Sequence, residues 1–206
     1  MTTVLPEDHP TKFQLIEAVN ELFDKKGSFE VTLEDVQSAT GISTGSIYHH
    51  FDDFGNLVIT ALSRRAFVTV EQDVATISAF VENSDSREEF LAAVRQLTEA
   101  IYSPTRALIR MEKLELIAMA STRQDFYELI QENERDVTAA LGAVIARCQE
   151  KNLLRRDMDP VAFAVWLQSY SFGSILNDLN PDGVSASMMI ELIMLIFEGL
   201  SPLTAT

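Results

Sequence analysis

The run Thr44 to His50, TGSIYHH, concentrates groups that hydrogen-bond without reacting. Thr44 and Ser46 offer hydroxyls, Tyr48 a phenol, His49 an imidazole, and Gly45 leaves its backbone bare. Hydroxyls and imidazoles reach phosphates and base edges, and a residue without a Cβ admits close approach. This is recognition chemistry suited to a major groove. The other polar groupings carry less. His49 and His50 are neighbours on a helix, pointing about 100° apart, and cannot share a metal. His9 falls in an N-terminal arm. Asp178, Asn180, Asp182 and Gly183 match the first half of a calcium loop. Met189 stands where the bidentate acid belongs and Pro181 interrupts the loop, so the stretch reads as a turn. There is no G-x-S-x-G, H-E-x-x-H or glycine-rich phosphate loop. No catalytic grouping, metal site or cofactor is expected, and the chain does not read as an enzyme.

The elements that position the TGSIYHH run are legible around it. Thr32 and Asp35 have capping-box spacing at the start of a short helix, with Leu33, Val36 and Ala39 inward. Gly41 follows where a helix ends at positive φ. Ile42 plugs the turn, Ser43 caps a second helix, and Ile47 and Phe51, four apart, face inward. A helix from about Thr11 to Lys26 precedes this hairpin, with Phe13, Ile16, Val19 and Phe23 at helical spacing and Gly27 at its end.

These residues resemble the tetracycline-repressor (TetR) family of bacterial transcriptional regulators. The matching positions are Leu15, Ile16, Ala18, Leu22, Phe23 and Gly27, then Thr32, Val36, Gly41, Ile42, Ser43, Gly45, Ile47, Tyr48, His50, Phe51 and Leu57. They cover roughly the first third of the chain. The resemblance implies a helix-turn-helix DNA-binding domain over residues 1–55 and an effector-binding and dimerisation domain over residues 56–206. It implies Thr44, Gly45 and Ser46 facing bases, and Thr32, Tyr48, His49 and His50 on phosphates. The partner would be a palindromic double-stranded DNA operator, released by an apolar or amphipathic small-molecule effector, with the protein acting as a repressor. Two positions depart from the family pattern. Leu33-Glu34 stands where members often have a polar or basic contact residue, and Phe54 stands where a phosphate-binding lysine is usual. The alternative is a helical protein-interaction module that kept the fold and binds DNA weakly or not at all.

The formal net charge is −15, and residues 1–65 hold five Lys or Arg against ten Asp or Glu. That balance predicts weak non-specific DNA affinity. The single Cys148 excludes a disulfide framework and suits a reducing cytoplasm. The start, MTTVLPEDHP, lacks the basic and apolar regions of a signal peptide and reads as a disordered arm. No apolar run is long enough to span a membrane.

Downstream, the periodicity predicts helices from about Asp53 to Val81, Ser86 to Tyr102, Ser103 to Ala120, Arg123 to Lys151, Asp159 to Leu179 and beyond Gly183 to Leu200. The fold is all-α, with about nine helices. From Met188 to Leu200 only Glu191, Glu198 and Gly199 are not apolar, so this last helix must be covered on nearly all sides. With the preceding apolar helix it suggests a four-helix homodimer interface. Its candidates are Val161, Leu167, Met189, Leu192, Ile193, Ile196 and Phe197. Met111, Leu114, Phe126, Trp166 and Tyr170 are candidate effector contacts, on the strength of the resemblance.

Overall fold

The computed structural model describes residues 9–27 and 30–202. Every regular element among them is helical: α1 (Pro10–Lys26), α2 (Leu33–Thr40), α3 (Thr44–His50), α4 (Phe54–Asn83), α5 (Arg87–Ile101), α6 (Pro104–Ala120), α7 (Gln124–Glu150), α8 (Pro160–Gly173), α9 (Ile175–Asp178) and α10 (Ala186–Gly199). The fold is all-α, as the sequence implies.

Local chemistry sets the helix ends. Thr32 and Asp35 form the full capping box of α2, with Thr32 N–H donating to Asp35 Oδ2 at 2.8 Å. Lys26, the Thr32 hydroxyl and the Thr32 N–H together hold the Asp35 carboxyl down to about 2. Gly41 closes α2 at φ 70°, a conformation glycine adopts without steric cost. Ser86 with Glu89 caps α5, and Asp159 ahead of Pro160 caps α8. The helix expected to run unbroken to Leu179 divides at Ser174 into α8 and α9. There Gly173, a poor helix former, adjoins a serine whose hydroxyl bonds the Tyr170 carbonyl at 3.1 Å. The arm expected to be disordered from Met1 to Pro10 needs correction at its end. His9 is the N-cap of α1, its Nδ1 accepting from Thr11 N–H at 3.3 Å; residues 1–8 lie outside the described residues.

The chain forms two compact units. Unit 1 comprises residues 1–69 and 112–133, and unit 2 residues 70–111 and 134–206. The boundary drawn from the motif at residue 55 falls at the start of α4, inside unit 1. The reason is core volume, since three short helices alone bury little. Leu15, Val19, Val36, Ile47, Leu57 and Leu62 make the centre of unit 1, and Leu116, Ala120, Phe126 and Ile130 from the distant segment complete it. Arg65 of α4 ties the same pieces by charge, reaching Asp24 at 2.7 Å and Glu112 at 3.0 Å.

Unit 2 is built around aromatic side chains. Phe197 of α10 meets Phe163 of α8 at 5.7 Å and Phe90 of α5 at 6.2 Å between ring centres. Phe163, Trp166 and Tyr170 stack in series along α8. Arg87, at the start of α5, donates to the carbonyls of Leu153, Phe197 and Glu198, tying the end of α10 to the loop after α7. Burial lowers its guanidinium pKa. Arg110 is buried and paired bidentately with Asp178, at 2.6 and 2.9 Å.

Candidate nucleic-acid interface

The helix-turn-helix of α2 and α3 is hung on main-chain bonds. Gly41 N–H donates to the Gln37 carbonyl at 2.8 Å, and Ser43 Oγ accepts from Ser46 N–H at 3.3 Å to start α3. Ile47 is fully buried and Phe51 nearly so, which pins α3 to the unit 1 core by one face. The opposite face holds the residues singled out above. Gly45, Tyr48 and His49 are exposed, and Thr44, Ser46 and His50 are half-buried. A Cβ built on Gly45 meets nothing within 4 Å, so the chain's own packing does not require glycine there. Tyr48 is 46% exposed, large for an aromatic ring on a helix of seven residues.

Thr32 differs from the others. Its N–H and its hydroxyl both donate to Asp35 Oδ2, at 2.8 and 2.6 Å. Both donors expected to meet a phosphate are committed to the capping box, and a carboxylate lies beside them. Contact there would require the cap to open. Phe54, in the place of the usual lysine, opens α4 half-buried and packs against the unit 1 core. Asp53 caps α4 by accepting from Asn56 N–H at 2.7 Å and pairs with Arg123 at 3.0 Å.

All three histidines of the chain gather at one end of α3. His50 lies 4.6 Å from His9 and 5.2 Å from His49 between ring centres, and Lys12 sits 5.5 Å over the Phe51 ring. Burial, then the charges of His9, His49 and Lys12, lowers the His50 pKa below the ordinary imidazole value. The sequence placed His9 apart from the other two, because spacing along the chain says nothing about where an arm returns.

The five effector candidates do not share one core. Phe126 belongs to the core of unit 1, and Leu114 lies in the same unit, 40% exposed. Met111, Trp166 and Tyr170 lie in unit 2. There the Tyr170 hydroxyl donates to the Tyr102 hydroxyl at 2.9 Å. Burial, then the Tyr102 hydrogen bond, raises the Tyr170 pKa.

The candidate dimer residues also divide. Ile193 and Phe197 are buried inside unit 2, and Leu167 and Ile196 pack against the same core. They face their own subunit and leave the surface a second copy could cover. The outward side of α10 is Met188, Leu192 and Leu195, and α8 exposes Val161 and Val165. Met189 is half-buried. Glu191, exposed beside Leu195 at the edge of the same side, pairs with Arg95 of α5 at 2.9 Å. No helix among the described residues is long and apolar enough to cross a membrane.

Comparison with known proteins joins these pieces. Residues 15–57 match the family of bacterial regulatory proteins, tetR family. The chain is 25% identical over 188 residues to the HTH-type transcriptional regulator TtgR of Pseudomonas putida, covering 86% of this chain and 85% of TtgR. It is 27% identical over 172 residues to the HTH-type transcriptional regulator BetI of Yersinia pestis, covering 80% and 83%. Among solved structures, Salmonella enterica GusR superposes with a TM-score of 0.65 at 19% identity, over 95% of this chain and 97% of GusR. A TetR-family transcriptional regulator from Cytophaga hutchinsonii gives a TM-score of 0.65 at 19% identity, over 93% and 94%. The last two bear on the fold alone. With the capped α2–α3 pair inside the matched segment, residues 15–57 carry the DNA-binding segment of the tetR family of bacterial regulatory proteins, and the chain is a DNA-binding transcriptional regulator.

Proposed function

We propose that the protein is a homodimeric repressor that places one α3 from each subunit in successive major grooves of a palindromic operator. Thr44, Gly45 and Ser46 face bases; Tyr48, His49 and His50 hold phosphates. The half-sites lie about 34–36 Å apart, one turn of the duplex. Thr32 supports this contact indirectly, by fixing α2 through its cap. The N-terminal domain, residues 1–55 in the motif's terms, reads DNA, and residues 56–206 dimerise and bind an apolar or amphipathic effector. The exposed Val161, Val165, Met188, Leu192 and Leu195 meet their equivalents in a second copy. The effector is met in unit 2 by Met111, Trp166 and Tyr170. Effector binding favours a state whose two α3 helices are wrongly spaced, with a coupling of about 1–3 kcal/mol. The protein works in the cytoplasm and has no catalytic role.

The observation that carries this reading is the outward face of α3, where small and hydroxyl-bearing residues stand over a fully buried Ile47 and Gly45 borders open space. The test is fluorescence anisotropy with duplexes selected by the protein from a randomised pool. A palindrome with one-turn half-site spacing is the expected product, bound by a dimer. A pool from which nothing is enriched at low salt would sink the reading. The excess of acidic over basic residues in the first 65, with Phe54 packed into the core, favours the protein-interaction alternative in that event.

A further inference from the structure

Gln37 was not among the residues picked out by the motif, yet it holds both sides of the turn. Its carbonyl accepts the Gly41 N–H that ends α2, and its side-chain Nε2 donates to Thr44 Oγ1 at 2.8 Å across the turn. A threonine hydroxyl has one proton and two lone pairs. At five threonines inside other helices that proton turns back onto the helix itself. Thr40, Thr60, Thr69, Thr76 and Thr98 each donate to the carbonyl four residues earlier. Thr44 is the first residue of α3, and the residue four before it lies on the far side of the turn, in α2. Here the hydroxyl accepts from Gln37, and its proton meets no acceptor among the described residues.

We propose that Gln37 is a positioning residue that presents Thr44 as a hydrogen-bond donor to the acceptor edge of a base, and so sets sequence preference at one base pair of each half-site. Purine N7, guanine O6 and thymine O4 are the acceptors a major groove offers. The first residues of a recognition helix are the ones that reach base edges. This inference rests on α3 being the DNA-reading element.

The experiment starts from the duplex that the wild-type protein selects from a randomised pool. Affinities are measured at one fixed salt concentration for that duplex and for every single-base-pair variant of its half-site. The proteins are wild type, Gln37→Met, Gln37→Glu, Thr44→Val and the double variant Gln37→Met with Thr44→Val. Methionine keeps the length of the side chain and removes the donor. Glutamate takes the Thr44 proton for itself, so the hydroxyl can only accept. The main-chain bond from Gly41 and the Ser43 cap survive in all of them, and helical circular dichroism checks this. Both Gln37 variants are expected to relax discrimination at one base pair, by roughly tenfold. It is the same base pair at which Thr44→Val relaxes it, and Gln37→Met adds nothing there once Thr44 is valine. An even loss across all duplexes, a loss at a different base pair from Thr44→Val, or Gln37 variants that match wild type would each overturn the proposal while leaving the DNA reading intact. A wild-type protein that selects no duplex overturns both.

Discussion

Helices α3 and α10 are each started by a serine cap, Ser43 and Ser185, and each buries one face in its own unit. Their other faces differ in kind. Over buried Ile47, α3 turns out a hydroxyl, a phenol and an imidazole; over buried Ile193, Met194 and Phe197, α10 turns out Met188, Leu192 and Leu195. A polar outward face costs the free chain little, because water satisfies it until a polar polymer does. An apolar outward face has no such substitute and gains free energy only when another apolar surface covers it. The contrast assigns the two helices different partners before any partner is named.

The contrast can be broken from the inside first. Phe197→Ala removes a ring that touches Phe90 and Phe163, and the expected loss is about 3–5 kcal/mol of stability in urea titration. A loss near that of a surface substitution would mean that α10 does not bury this face. Next comes the outside of the same helix. Leu192→Asp with Leu195→Asp, at side chains 49% and 66% exposed, should leave the helical signal intact and weaken self-association by several kcal/mol. Sedimentation reads this directly, and a wild-type protein that is monomeric at micromolar concentration removes the dimer from the account. On α3, Tyr48→Ala should cost about 1.5–3 kcal/mol in operator affinity, as expected for a hydrogen bond to a charged phosphate. Urea stability should stay close to wild type; an unfolded mutant would make Tyr48 a core residue.

The smallest effect is a pH dependence with two opposite signs. His50 has a lowered pKa in the free protein, so the folded chain binds fewer protons there than the unfolded chain. Its contribution to stability is present above the unfolded pKa of about 6.5 and is lost as pH falls through the folded value. A phosphate beside His50 acts the other way and favours the protonated form. Operator affinity should therefore rise as pH drops from about 8 toward 6, by at most about tenfold per pH unit for each proton taken up. His50→Gln should flatten that dependence, and a profile unchanged by the substitution would place His50 away from the phosphates.

Much of this was legible from local signals. Thr32 with Asp35, Gly41 and Ser43 each announce a helix end by chemistry that needs no tertiary context, and they place α2 and α3 within a residue of where they stand. The exposed face of α3 followed from the spacing of Ile47 and Phe51. What escaped was partition. A helix apolar on nearly every side has no periodicity to say which face its own subunit covers, so Ile193 and Phe197 could not be told from Leu192 and Leu195. Nor does spacing reveal that Phe126 and Trp166 serve different cores. Thr32 reads in sequence both as a cap and as a phosphate contact, and only the bond to Asp35 shows that one role occupies the donors of the other. Gln37 had a signal, a polar side chain seven residues before Thr44 across a tight turn, but nothing in the pattern distinguishes it from an ordinary solvent-facing glutamine.

The composition of unit 1 has a consequence for the order of synthesis. Its core needs Leu116, Ala120, Phe126 and Ile130, which the ribosome adds long after the helix-turn-helix itself. From residue 70 through residue 133 there are 64 residues, or roughly 3–13 s of elongation at about 5–20 residues per second. Throughout that interval the nascent chain carries Leu57, Ile59 and Leu62 without their full cover. The reading head of the protein is translated first and matures late.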